Sequence, residues 1–181
     1  MAENLKTTKY NDGSAIPLVA DNTEWSNLTS PGYCWFNNDP ATYKEVYGAL
    51  FNWYALDAGS NGGKNICPVS WHAPTDADWN TLTTFLGGEA VAGGKMKETG
   101  LAHWFSPNTG ATNESGFSAL PGSFRLSVGN FDVTGTIGFY WSTAQNISST
   151  GWNRAIYSSY PDIYRMEYPK KAGFSVRCLK D

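Results

Sequence analysis

Charge is scarce in this chain. Asp, Glu, Lys and Arg make up 16% of its 181 residues, against roughly 25% in an average soluble domain. Its 13 basic residues form no cluster and the net charge is -3, so the electrostatic footprint that phosphate backbones require is missing; nucleic acid is not an expected partner. No apolar run approaches the ~20 residues of a membrane-spanning helix, and Met1 to Lys6 lacks the apolar core of a signal peptide, so no membrane insertion is expected. Histidine occurs twice, as His72 and His103. Neither belongs to a recognisable zinc motif, and each reads as structural or surface. A Gly-x-Ser-x-Gly elbow for a serine nucleophile is absent. The cysteines, Cys34, Cys67 and Cys178, are far apart and form neither a redox pair nor a zinc cluster. One disulfide plus a free thiol and three free thiols both stay open, and compartment does not follow.

What the chain has instead is aromatic side chains, at 15%, and 19 glycines. Its length suits one domain over 1–181, loop-rich and aromatic-cored. Turn signals at Asn11-Asp12-Gly13 and Ser30-Pro31-Gly32 separate short strands in the opening third. Asp39-Pro40 predicts a helix start, followed by Tyr47, Leu50, Phe51 and Tyr54 at the spacing of a buried helical face. A second helix is predicted from Thr75-Asp76-Ala77-Asp78, which has capping-box form, with Trp79, Leu82 and Leu86 as its stripe and Gly87-Gly88 as its stop. No helix is predicted beyond; Gly93-Gly94, Pro107-Asn108 and Pro121-Gly122 read as loop punctuation. In the last part Trp152, Arg154 and Ile156 share one strand face, and Asn153, Ala155 and Tyr157 the other. Ser159-Tyr160-Pro161-Asp162 reads as a turn. A second strand sets Tyr164, Met166 and Tyr168 opposite Ile163 and Arg165, and Phe174 and Val176 alternate with Ser175 and Arg177 in a final strand.

Asp76 and Asp78 resemble a catalytic carboxylate pair, but their place in a helix's first turn already explains them through capping and the helix dipole. Asn108, Asn113 and Glu114 offer the hard oxygen ligands that calcium takes, although such side chains in Gly-rich loops more often satisfy backbone groups. No cofactor is expected, and calcium is the one metal with candidate ligands. Between Tyr140-Trp141-Ser142 and Gly173 to Cys178 lies a stretch crowded with Tyr, Ser, Asn and Asp. Tyr gives large amphipathic contact at low entropic cost, as in a paratope; an ordinary sheet favours Tyr as well.

Three blocks carry a family resemblance: Ala2-Glu3-Asn4-Leu5-Lys6-Thr7-Thr8-Lys9-Tyr10-Asn11-Asp12-Gly13, Cys67 to Trp79, and Gly173 to Asp181. Together they resemble the Fibrobacter succinogenes major paralogous domain from end to end, with Ser70 where that family usually has Gly. Pro74-Thr75-Asp76-Ala77-Asp78-Trp79 is also similar to the helix start of formylglycine-generating enzymes. Both groups have the C-type lectin-like fold. The resemblance therefore implies an α+β C-type lectin-like domain: two helices packed on short twisted antiparallel sheets with long loops. The family usually begins with a further strand pair upstream of Ala2, which this chain is expected to lack. Those enzymes use a cysteine pair near the domain's end, where this chain has Cys178 alone. The Glu-Pro-Asn, Gln-Pro-Asp and Trp-Asn-Asp triplets of calcium-dependent lectins are absent; Trp152-Asn153-Arg154 echoes the last in part.

The Tyr-Trp-Ser block, variable stretch and Gly-Phe-Ser-Val-Arg-Cys ending resemble variable proteins of diversity-generating retroelements. In those proteins, adenine changes turn Asn codons into Tyr, Ser, Asp, Ile, Thr and Ala codons. Tyr157, Ser159, Tyr160, Asp162, Tyr164 and Tyr168 fit that set, whereas Met166 and Glu167 require a Lys codon. The expectation is a non-catalytic module, secreted, on a cell surface or on a phage particle, that binds a protein or cell-surface ligand. Its expected contact surface is Asn153, Ala155, Tyr157, Ser159, Tyr160, Asp162, Tyr164, Met166 and Tyr168, with Ile156, Ile163, Phe174 and Val176 as frame. The alternative is a structural or adhesive surface domain without a selected ligand site, with a calcium-dependent lectin or an enzyme third. Ligand and oligomeric state stay open.

Overall fold

The computed structural model describes Met1, residues 3–132 and residues 134–181; Ala2, which opens the first family block, and Val133 lie outside the described residues. In chain order the elements are α1 (Asn22–Ser26), β1 (Tyr33–Cys34), α2 (Pro40–Tyr47), β2 (Leu50–Phe51), α3 (Ala58–Asn61), β3 (Trp71–His72), α4 (Asp76–Phe85), α5 (Glu89–Met96), β4 (Ile137–Gln145), β5 (Thr150–Tyr157), β6 (Ile163–Pro169) and β7 (Leu179–Lys180). The strands pair antiparallel as β1-β2, β3-β7 and β4-β5-β6. The domain is a mixed α and β structure of short antiparallel sheets and long loops, with five α-helices among the described residues where two were expected. No described helix is long and apolar enough to cross a membrane.

Helix α4 forms as its sequence predicts. Thr75 accepts from the Asp78 amide and Asp78 accepts from the Thr75 amide, which satisfies two donors that the helix start leaves open. Trp79 and Leu86 are buried, with Leu82 packed beside them. Gly87-Gly88 does end this helix, but Gly88 starts α5, which the sequence reading missed. The reason lies in Gly93-Gly94, which local propensity disfavours in a helix by ~1 kcal/mol each. A Cβ on Gly93 would lie 2.0 Å from the Asp162 carbonyl oxygen, and one on Gly94 2.4 Å from that of Gly110. Close packing against distant loops selects glycine there, and the breaker signal is overridden.

Helix α2 has its predicted start, with Asp39 accepting from the Thr42 amide and Pro40 in the first turn. It ends sooner than the apolar spacing suggested. Gly48 takes φ +72°, and a Cβ there would lie 2.8 Å from the Leu5 carbonyl oxygen. Leu50 and Phe51 then pair as a strand with Cys34 and Tyr33, and Tyr54 falls in a 3-10 turn, Trp53–Ala55.

The sheet β4-β5-β6 is covered on both faces along β4 and most of β5, while β6 beyond Ile163 stays largely open. Phe139, Trp141 and Ala155 face one core with Phe174, whose ring stacks on Phe139 at 4.5 Å. Tyr140, Ile156 and Ile163 face the other, against Trp79, Ala92 and Met96. The run 173–178 threads between β2 and β4: the Phe51 amide donates to the Phe174 carbonyl at 2.9 Å, and the Trp141 amide to that of Ser175 at 3.1 Å. Pairing on two sides buries Ser175 and Arg177 with Phe174 and Val176. The in-out alternation expected of a final strand is not obeyed. A Cys67–Cys178 disulfide ties this run to the loop before β3, and Cys34 is a free, buried thiol.

Loops this long carry buried carbonyls that need donors. Buried arginines supply them. Arg125 donates to the carbonyls of Val19, Ala20 and Gly129 and lies 4.5 Å from the Trp25 ring centre. Arg177 donates to Asn4 Oδ1 and to the carbonyls of Phe117 and Ser118, with its guanidinium 4.4 Å from the Phe117 ring. Five donors in a planar fork, stacked on an aromatic face, suit this task.

Candidate ligand-binding face

All nine residues expected to make contact lie on the β5-β6 hairpin or its turn, and strand parity was read correctly. Register pairs Asn153 with Met166, Ala155 with Tyr164 and Gly151 with Tyr168, on the same face as Phe139 and Trp141. Two of the nine are not surface residues. Asn153 and Ala155 are fully buried, because β5 is the central strand and the segments around Phe124 and Phe174 cover it from this side. Asn153 donates to the Met166 carbonyl at 3.0 Å, while its Oδ1 is buried without a partner. Both leave the contact surface.

The other seven come together. Ser159, Tyr160 and Tyr164 are exposed, while Tyr157, Asp162, Met166 and Tyr168 are half-buried. The rings of Tyr157, Tyr160 and Tyr164 form a closed triangle of edge-to-face contacts, with centroids 5.4 to 6.4 Å apart. Beside it opens a groove of about 380 Å³, lined by Phe124, Asp132, Phe139, Tyr157, Met166 and Tyr168. Tyr157 Oη lies 3.7 Å from Met166 Sδ, and the Tyr168 ring packs against Phe124 and Phe139. Desolvation raises the pKa of the Tyr157, Tyr164 and Tyr168 phenols, so all three are neutral donors at neutral pH. The face thus offers apolar ring surface with hydroxyls at its rim.

Phe124, Asp132 and Phe139 were not expected here. They lie in or next to a stretch that reads as loop, punctuated by Pro121-Gly122 and Gly129-Asn130. The strand parity of Phe139 against Tyr140 was the one usable cue.

Elsewhere most of the candidate side chains have protein partners. Asp78 is in the capping box, and Asp76 holds Arg154 at 2.7 Å and Arg165 at 2.8 Å. His72 lies 2.7 Å from Asp181 and 3.4 Å from Asp78, and His103 lies 2.7 Å from Glu98. Asn108 donates to the Glu98 and Gly100 carbonyls while its Oδ1 is buried without a partner, Asn113 donates to Ser118 Oγ and accepts from the Ser118 amide, and Glu114 pairs with Lys95. A smaller cavity of about 140 Å³, under α4 between Trp79, Leu82 and Phe117, is walled by Asp78, whose Oδ2 accepts from the Thr75 amide, and by Arg177, whose guanidinium already has protein partners.

The Fibrobacter succinogenes major domain description matches residues 1–180. No curated protein and no solved structure matches the chain.

Proposed function

The chain belongs to the Fibrobacter succinogenes major domain family, and from that membership and the tyrosine face we propose a non-catalytic binding domain of C-type lectin-like architecture. It displays Tyr157, Ser159, Tyr160, Asp162, Tyr164, Met166 and Tyr168 to a protein on a cell surface. The observation that carries this reading is the triangle of Tyr157, Tyr160 and Tyr164 beside a largely aromatic groove that Tyr157 also lines. Rings that hold one another before a ligand arrives lose little freedom on binding, which is where affinity is usually lost. The Cys67–Cys178 disulfide supports work in an oxidising place, at a cell surface or outside it.

The same residues bear on the resemblance to retroelement variable proteins. Tyr157, Ser159, Tyr160, Asp162, Tyr164 and Tyr168 reach solvent at least in part, and all fit the products of adenine change at Asn codons. Asn153, itself the residue such a codon encodes, is buried. If the locus varies, natural variants should differ at those six positions and conserve Asn153 and Ala155, with a near-copy of the 140–181 coding region beside a reverse transcriptase gene.

Binding is tested with labelled domain on intact bacterial cells by flow cytometry. Wild type should bind, Tyr160→Ala/Tyr164→Ala should not, and protease treatment of the cells should remove the signal. The variant should keep its melting temperature, because surface substitutions shift stability by only ~0.5 kcal/mol. Equal binding by variant and wild type would overturn the site. Binding that survives protease and is lost with chelator would point to a calcium-dependent glycan lectin instead.

A further inference from the structure

Lys97 directly follows α5, and its side chain is buried. Its Nζ donates to the carbonyl oxygens of Thr109 at 2.8 Å, Tyr160 at 2.9 Å and Tyr157 at 3.0 Å, with that of Ser158 at 3.5 Å. An ammonium has three protons, so the three short bonds saturate it. Trp104 closes the site, its ring centre 5.6 Å from Nζ. Burial pulls the pKa down to about 8, which leaves the group charged at neutral pH. Three of the four carbonyls belong to the end of β5 and the turn that bears the tyrosine triangle.

Other bonds to this turn share one property. The Ser158 amide donates to the Thr136 carbonyl at 2.9 Å, the Thr109 amide to that of Ser158 at 2.8 Å, and the Gly94 amide to that of Pro161 at 2.7 Å. Gly93 and Gly110 let the backbone of α5 and its loop come close to Asp162 and Pro161. In each of these bonds the turn contributes a main-chain atom.

We propose that Lys97 is the positioning residue of the ligand face. By gripping carbonyls alone it fixes the path of residues 158–162 whatever side chains stand at 159, 160 and 162, so those side chains can be exchanged to change the ligand without changing the loop. The proposal rests on the binding reading of this face. A compact ammonium suits the role: it is satisfied by carbonyls arriving from several directions, and charge-assisted bonds are about twice as strong as neutral ones.

The test is amide hydrogen exchange by NMR on wild type, Lys97→Met and the triple variant Ser159→Ala/Tyr160→Ala/Asp162→Ala, all without ligand. The reporters are the amides of Gly94, Thr109 and Ser158, with the Leu86 amide of α4 as control. In the triple variant the reporters should exchange within about threefold of wild type. In Lys97→Met they should exchange roughly 30-fold faster, while Leu86 is unchanged. The Lys97 ammonium should give its own slowly exchanging ¹⁵N signal in wild type and keep it in the triple variant, which a merely space-filling lysine would not do. Loss of reporter protection in the triple variant overturns the proposal, as does unchanged protection in Lys97→Met. Should Lys97→Met fail to fold, the triple variant decides: retention of the ammonium signal supports the proposal and its disappearance overturns it. Because no ligand takes part, failure of the cell-binding experiment leaves this result unaffected.

Discussion

Replacing Asp76 by Ala separates two roles that one residue can have at a helix start. As a first-turn carboxylate it would contribute ~0.3–1 kcal/mol through the helix dipole. The structure gives it a second role. Its Oδ1 accepts from Arg154 Nη1 at 2.7 Å and its Oδ2 from Arg165 Nε at 2.8 Å. Only 2% of the Arg154 side chain is exposed, so without Asp76 the guanidinium keeps Asn80 and loses its counter-charge. Stranding a buried charge costs ~3–5 kcal/mol; partial exposure of Asp76 itself, at 21%, puts the expectation at the low end. Asp76→Ala should therefore lose ~3 kcal/mol, or about 6–12 °C in melting temperature for a chain of this length. Guanidinium unfolding followed by tryptophan fluorescence, with the disulfide intact, measures it. Arg154→Met in the Asp76→Ala background should recover part of the loss, since an apolar side chain replaces the unpaired charge. A loss below ~1 kcal/mol with no recovery would refute the argument and return Asp76 to the helix dipole alone.

Gly93→Ala should destabilise by ~2 kcal/mol through overpacking, because its Cβ would meet the Asp162 carbonyl oxygen at 2.0 Å; helix propensity alone predicts a gain of up to ~1 kcal/mol, so the sign of the melting shift decides. Reducing the Cys67–Cys178 bond, which spans 111 residues, should cost up to ~4.7 kcal/mol in the chain-entropy account, read from the denaturation midpoint with and without reductant. Cys34, whose thiol burial pushes up to about 12, should resist alkylation by iodoacetamide until the protein unfolds. The bond to Asp181 first, and then Asp78, raises the His72 pKa above 6.5. The stability this pair contributes should be complete below pH 6.5 and disappear as pH rises through the raised value. Melting temperature should fall slightly over that range and His72→Gln should flatten the profile, by under ~1 kcal/mol because the pair is solvent-exposed.

Local signals were legible where the chemistry is local. The capping box of α4 and the Asp39-Pro40 start of α2 depend on residues within one turn of each other, and both formed as read. The turn between β5 and β6 and the parity of both strands follow from a period of two. Gly93-Gly94 misled because what selects them is the backbone of Asp162 and Gly110, not the helix they sit in. Leu50 and Phe51 misled because four apolar residues at helical spacing can be divided between a helix end, a strand and a turn once Gly48 bends the chain. The groove wall at Phe124 was illegible because it forms only when a long loop folds back onto the hairpin.

By itself the sequence determined the family, the helix start at Thr75, the hairpin and which side chains share each of its faces. It did so because caps, turns and strand parity are short-range properties of the chain. Tertiary structure alone decided which of those side chains reach solvent: Asn153 and Ala155 share a face with Tyr157 and Tyr164, yet the segments around Phe124 and Phe174 roof the middle of β5 and leave its end at Tyr157 and the strand β6 partly open. It also brought Lys97, some 60 residues away, under the tyrosine turn. A buried ammonium is placed by carbonyls from segments distant in the chain, and no local pattern announces such a site.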